Sequence, residues 1–181
     1  GVTDKSATAR AYHKQGLSYD SQWQMRLAEM YYKKAYTMLC DNPAQDWKCY
    51  ADAGYRYAYL MMQEYQRASI YFSILSKGDS RYKTRGTYYY AYCMYKLEKY
   101  DKALPALKAL EHETAYKQTV PYYLTQIQYA QGDYDEAAQR ADSLLHANPD
   151  NVNNAELHRI LGEMAYQQKD YRKAVTHLTA Y

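Results

Sequence analysis

Phenylalanine is almost missing from this sequence: there is one, against 26 tyrosines in 181 residues. An interior with so few purely apolar rings has to be built from tyrosine and alanine, and many rings must lie with one edge apolar and the hydroxyl wet. Cysteine is scarce as well. Cys40, Cys49 and Cys93 are too few for a disulfide framework and lack metal-ligand spacing. Cys40 and Cys49 flank the stretch DNPAQDWK, so they could close a small loop in an oxidising compartment; otherwise they read as buried free thiols. No run of about 18 apolar residues occurs, which excludes a membrane-spanning helix. An excess of one charge is lacking too. The 23 Lys and Arg are interspersed with 20 Asp and Glu, and the net +3 is too small and too mixed to imply a nucleic-acid partner.

The motifs of catalysis are also lacking. His13, His112, His146, His158 and His177 are scattered along the chain, and none falls in an HExxH or other paired metal spacing. Glu111, His112 and Glu113 gather at a predicted helix end, where a histidine near the C-terminal dipole reads as a solvated cap. Gly-rich phosphate loops and nucleophile elbows are missing. The chain is therefore expected to be no enzyme, with no cofactor and no metal site.

What is present is periodicity. The segments WQMRLAEMYYKKA, MQEYQRASIYF, LEKYDKALPALKAL, QGDYDEAAQRADSLL and QKDYRKAVTHL each place a large residue three positions before an alanine. The pairs are Met25 and Ala28, Tyr65 and Ala68, Tyr100 and Ala103, Tyr134 and Ala137, and Tyr171 and Ala174. Anchors at 25, 65, 100, 134 and 171 recur at the period of stacked supersecondary units. Upstream of each anchor runs a helix-length stretch with apolar residues three and four apart, such as Tyr122, Leu124, Ile127 and Tyr129. Downstream of each anchor runs another.

A small side chain at the alanine position lets paired helices approach closely while the anchor fills the space beside it. Asp133 and Asp170, each just before an anchor, are placed to cap the second helices. Asn42-Pro43 and Asn148-Pro149 mark helix ends, because the residue before proline is pushed out of helical geometry. Pro105, near the first turns of its helix, is expected to bend that helix slightly and leave it intact.

On these residues the chain resembles the tetratricopeptide repeat family. The first copy matches at Tyr12, Gly16, Tyr19, Ala28, Tyr32, Ala35 and Asn42-Pro43. The fourth matches at Leu124, Gly132, Tyr134, Ala137 and Pro149, and the fifth at Leu161, Gly162, Tyr171 and Ala174. Arg56 and Thr125 depart from it, standing where the family prefers a small residue, and the first connector is about six residues longer than the family's unit. The resemblance implies an all-α, right-handed superhelical solenoid of about five helix-turn-helix units, at about 9–42, 46–80, 84–115, 118–150 and 153–181, the last truncated.

It also implies that the first helices line a concave groove. Residues 12, 8 and 5 positions before each anchor fall on one side of a helix and supply His13, Leu17 and Asp20; Ala53, Tyr57 and Leu60; Tyr88, Tyr92 and Tyr95; Tyr122, Gln126 and Tyr129; Arg159, Glu163 and Tyr166. Arg85 adds a charge one turn earlier. The expected groove set is Tyr57, Arg85, Tyr88, Tyr92, Tyr95, Tyr122, Gln126, Tyr129, Arg159 and Tyr166. Tyrosine suits peptide recognition, with a rigid face of low entropy cost and a hydroxyl for backbone groups. The same rings could instead pack between neighbouring repeats.

The lysine- and arginine-lined clamp with which some family members grip a C-terminal carboxylate is not assembled at these positions. Helical-repeat RNA binding is disfavoured, since Asp20, Glu156 and Glu163 would interrupt a phosphate-tracking stripe. The partner expected is therefore a protein or peptide, within a bacterial cell-envelope assembly suggested by the Tyr, Gln and Asn richness. The alternative is a structural or self-associating N-terminal sensor array of a longer regulator, with end-to-end homodimers through the truncated last unit. Gly1 reads as the remnant of a cleaved tag, so a targeting segment could have been removed with it and its absence proves nothing; the compartment leans periplasmic or cell-envelope.

Overall fold

The second helices begin at the anchors. In the computed structural model, which describes residues 4–78 and 81–180, α2 (Met25–Leu39), α4 (Tyr65–Lys77), α6 (Tyr100–Ala109), α8 (Tyr134–Ala147) and α10 (Tyr171–Ala180) each start at one. The helices before them are α1 (Ser6–Ser21), α3 (Trp47–Leu60), α5 (Lys83–Lys96), α7 (Val120–Ala130) and α9 (Asn154–Gln167). No strand occurs among the described residues. Positions 79, 80 and 181, at the ends of two of the expected repeat units, lie outside the described residues.

The turns before α2, α6, α8 and α10 share a backbone device. Two residues before the anchor, the chain enters the left-handed region at Trp23 (φ 60°), Glu98 (59°), Gly132 (87°) and Lys169 (63°). The next N–H then reaches back five residues: Gln24 to Tyr19 O, Lys99 to Met94 O, Asp133 to Gln128 O and Asp170 to Ala165 O, all at 2.8–2.9 Å. This Schellman arrangement closes the first helix and turns the chain into the second. Only Gly132 has no Cβ to strain at this position.

Caps follow the sequence unevenly. Asp170 Oδ1 accepts from Lys173 N at 3.2 Å, but Asp133 makes no such bond although it occupies the N-cap position of α8. The long first connector folds as a 3₁₀ turn, Pro43–Asp46, and Asp46 then caps α3 by accepting from Cys49 N. The helix α6 runs continuously through Pro105.

Two compact units make up the chain, Gly1–Ala103 and Leu104–Tyr181. In the first unit α1 packs on α2, α2 on α3, α3 on α4 and α4 on α5, and α1 also touches α3. Ala28 and Ala68 are wholly buried, as close helix pairing requires. The same need explains Gly16, where a Cβ would lie 2.6 Å from the Tyr32 ring. Around Tyr36 the core is aromatic: its ring stacks on Tyr50 at 4.7 Å and meets Tyr71 edge-on at 5.3 Å. Tyr50 donates its hydroxyl to that of Tyr36 at 3.1 Å, so both buried phenols find a partner. Cys40 and Cys49 are separate thiols, and burial pushes Cys49 up to about 11.

In the second unit α7 packs on α8, α8 on α9, α9 on α10, and α7 touches α9. Tyr122, Ala141, Leu157 and Leu161 form its buried cluster, with Leu144 and Leu145 against it. Thr125, one of the departures from the small-residue pattern, is fully buried, and its hydroxyl is satisfied by the carbonyl of Pro121 at 2.8 Å.

Candidate peptide-binding surfaces

The most elaborate polar site in the first unit is built on one buried carboxylate. Asp52, on α3, is 5% exposed, and four side chains converge on it. His13 from α1 and the hydroxyl of Tyr82 make short hydrogen bonds to it. Arg56 donates Nε at 2.9 Å, and Arg81 Nη2 lies 3.4 Å away. Burial alone would raise the pKa of Asp52. The bonds from His13 and Tyr82, with the charge of Arg56, override that and hold the carboxyl well below its usual range. Asp46 is handled likewise by Ser6 and by Arg10, whose Nε lies at 2.6 Å.

Above these carboxylates opens a concavity of about 510 Å³, lined by Arg10, His13, Leu17, Lys48, Arg56 and Arg81 among others. Beside it lies a slot of about 390 Å³ lined by Trp47, Lys48, Ala51, Arg81 and Tyr82. His13 and Leu17 are where the anchor offsets placed them. On α3, however, the lining residues are Asp52 and Arg56, one position before Ala53 and Tyr57, a rotation of about 100°. Tyr57 is buried instead: its ring meets Tyr71 edge-on at 5.2 Å and its hydroxyl accepts from Arg67 at 3.1 Å. Arg56, which departs from the small-residue pattern, lines this concavity and pairs with Asp52.

Along α5, Tyr88, Tyr92 and Tyr95 share one face and are all half-buried. Tyr88 meets Tyr89 edge-on, Tyr92 meets Tyr65 edge-on at 6.1 Å, and Tyr95 lies 6.1 Å from Tyr100. The ammonium of Lys96 sits 5.6 Å from the Tyr92 ring centre. Arg85 is exposed, its guanidinium 5.9 Å from the Tyr55 ring and 5.8 Å from the Tyr82 ring. The rings therefore serve both readings, each with one part packed and another in solvent.

In the second unit Tyr122 is 2% exposed and donates to Asn154 Oδ1 at 3.3 Å, so it belongs to the core. Gln126 and Tyr129 are half-buried. The Tyr129 hydroxyl donates to Glu163 Oε2 at 2.6 Å; burial first, and this carboxylate second, push it up to about 12. Arg159 joins the same group, donating to Glu156 at 2.8 Å and to Glu163 at 3.1 Å. Tyr166 is 63% exposed, with Tyr171 edge-on at 5.6 Å. Tyr129, Glu163 and Arg159 thus link α7 to α9 across a surface that keeps Tyr166 open.

Helical hairpins that repeat at this period, four of the five closed by Schellman turns and packed through small residues, are the units of an all-α helix-turn-helix repeat fold. The family model described as tetratricopeptide repeat matches residues 126–181. Among solved structures the chain is similar to MamA from Desulfovibrio magneticus RS-1, at 19% identity, covering 99% of this chain and 94% of that one, with a TM-score of 0.73. It is similar also to YrrB, described as a TPR protein with an unusual peptide-binding site, at 19% identity, covering 93% and 81%, with a TM-score of 0.69. No curated protein sequence matches the chain. Residues 126–181 thus match the tetratricopeptide repeat family, and the fold of the chain is that of these solved structures.

Proposed function

We propose that the chain is a non-catalytic scaffold that binds a protein or peptide, with the tyrosine row of α5 as its principal contact in the first unit. The observation that carries this reading is the register of Tyr88, Tyr92 and Tyr95 on one face of α5, each anchored by a neighbouring ring yet only half-buried. A ring held on one side loses little entropy when a partner covers the other. Arg85, Gln126, Tyr129, Arg159 and Tyr166 complete the proposed contacts, each within its own unit. Tyr57 and Tyr122, being core residues, act only through packing. The assembly served is proposed to be a bacterial cell-envelope one.

Affinity capture from a lysate of the source cells tests this, comparing the wild-type chain with a folded Tyr88→Ala/Tyr92→Ala variant by mass spectrometry. A protein held by the first and lost by the second supports the proposal. Identical catches refute the α5 surface as the binding site. A second reading, self-association, is favoured by α10, where Tyr171, Val175 and Leu178 are 56, 65 and 43% exposed. Light scattering across concentration separates the two, since a strictly monomeric chain counts against self-association.

A further inference from the structure

The concavity and the slot of the first unit share two residues, Lys48 and Arg81. On one side lie the apolar faces of Trp47, Ala51 and Tyr82. On the other, among the described residues, the fixed cations Arg10, Lys48, Arg56 and Arg81 stand over two carboxylates, Asp46 and Asp52. Two positive charges are left in excess even with His13 neutral. Both carboxylates are already supplied with donors, Asp46 by Ser6 and Arg10, and Asp52 by His13, Arg56 and Tyr82.

The cations, by contrast, have capacity to spare. Among the described residues Arg81 hydrogen-bonds through Nη2 alone, donating to the Tyr82 hydroxyl at 2.8 Å and reaching Asp52 at a long 3.4 Å, with its guanidinium 4.9 Å from the Tyr82 ring. Its side chain is 67% exposed. Lys48 makes no ion pair among the described residues. A guanidinium with open N–H groups beside an ammonium suits an oxyanion, and the adjoining slot excludes water from whatever apolar group accompanies it.

We infer that this part of the first unit binds a peptide segment carrying an anionic side chain beside an aromatic or aliphatic one, the anion on Arg81 and Lys48 and the apolar group against Trp47 and Tyr82. This rests on the peptide-binding reading above and specifies the chemistry recognised. A carboxylate and a phosphoryl group share that chemistry. The two-charge excess favours the phosphoryl group, close to a dianion at neutral pH.

The test uses the whole chain, labelled with ¹⁵N, and three probes: N-acetyl-Glu-Phe-amide, N-acetyl-phosphoSer-Phe-amide and the neutral N-acetyl-Gln-Phe-amide. The chain has two tryptophans, and the indole N–H of Trp47 reports the slot while that of Trp23, 85% exposed, serves as the internal control. The Trp47 resonance is expected to move saturably with the two anionic probes, about tenfold more tightly than with the glutamine probe, while Trp23 stays still.

The tighter of the two anionic probes identifies the group preferred. In a Lys48→Gln/Arg81→Gln variant, confirmed folded by circular dichroism, the anion preference should vanish while weak apolar binding survives. Equal affinity for all three probes, an unmoved Trp47, or an unchanged preference in the double variant overturns the inference. A partner captured through Tyr88 and Tyr92 while Trp47 is silent would leave the scaffold reading standing and end this one. A responding Trp47 with identical captures would do the reverse.

Discussion

Removing the carboxylate of Asp52 should cost the first unit more than any other single polar change. Asp52→Ala leaves His13, Arg56 and Tyr82 facing a space where each had a partner. Breaking a buried ion pair from one side costs about 3 to 5 kcal/mol. Arg56 and Arg81 are 37 and 67% exposed and can turn to water, which places the loss near the lower end, about 3 kcal/mol. For a chain of 181 residues that is a fall of about 6 to 12 °C in Tm. Asp52→Asn keeps the volume and one acceptor and should lose about half as much.

The pH dependence has a definite sign. The pKa of Asp52 is lower in the folded chain than in the unfolded one, so its contribution is complete above about pH 5 and is lost as the pH falls through the unfolded value and on toward the folded one. Urea titrations followed by circular dichroism should therefore show the wild-type advantage over Asp52→Asn shrinking by about 1 kcal/mol between pH 5 and pH 3. An advantage constant over that range, or an Asp52→Ala variant within about 0.5 kcal/mol of wild type, would refute the role given to this carboxylate.

Lys169→Gly should raise the stability of the second unit by about 0.5 to 1 kcal/mol, because Lys169 holds a left-handed φ of 63° that glycine adopts without a Cβ penalty; a loss on denaturant titration would contradict the turn geometry. Gly86→Ala should be destabilising by about 1 to 2 kcal/mol even though alanine favours helix. The new Cβ would lie 2.9 Å from Leu75 Cβ, 3.0 Å from Ser76 N and 3.1 Å from Phe72 O, so α4 and α5 have to separate. A Tm at or above wild type would show that the two helices are not in that contact.

How much of this was legible in the sequence depended on what kind of physics each feature obeys. The anchors Met25, Tyr65, Tyr100, Tyr134 and Tyr171 were visible because a recurring unit repeats its size requirements, and all five open helices. The left-handed residues were visible only at Gly132. At Trp23, Glu98 and Lys169 the tertiary fold imposes a conformation that the local residue does not favour, leaving no compositional trace. His13 and Leu17, placed by spacing, line the concavity beside Asp52, whereas Tyr57, placed by the same spacing, is buried with its ring against Tyr71. The cluster on Asp52 was missed altogether. Its members lie at 13, 52, 56, 81 and 82, and nothing short of folded helices brings them together. One signal was available, an aspartate inside a stretch otherwise reading as core, ADAGYRYA.

Solenoids are usually regarded as modular, gaining or losing whole repeats with little effect beyond the new neighbours. The Asp52 cluster sets a limit on that freedom here. One carboxylate receives donors from α1, from its own helix and from the residues that lead into α5. Excising the first hairpin would therefore remove His13 as well as a packing face, and would open the buried acid to water. The cluster therefore couples the first hairpin to the second and to the entry of the third, so that removing one repeat is expected to disturb its neighbours electrostatically as well as by lost packing.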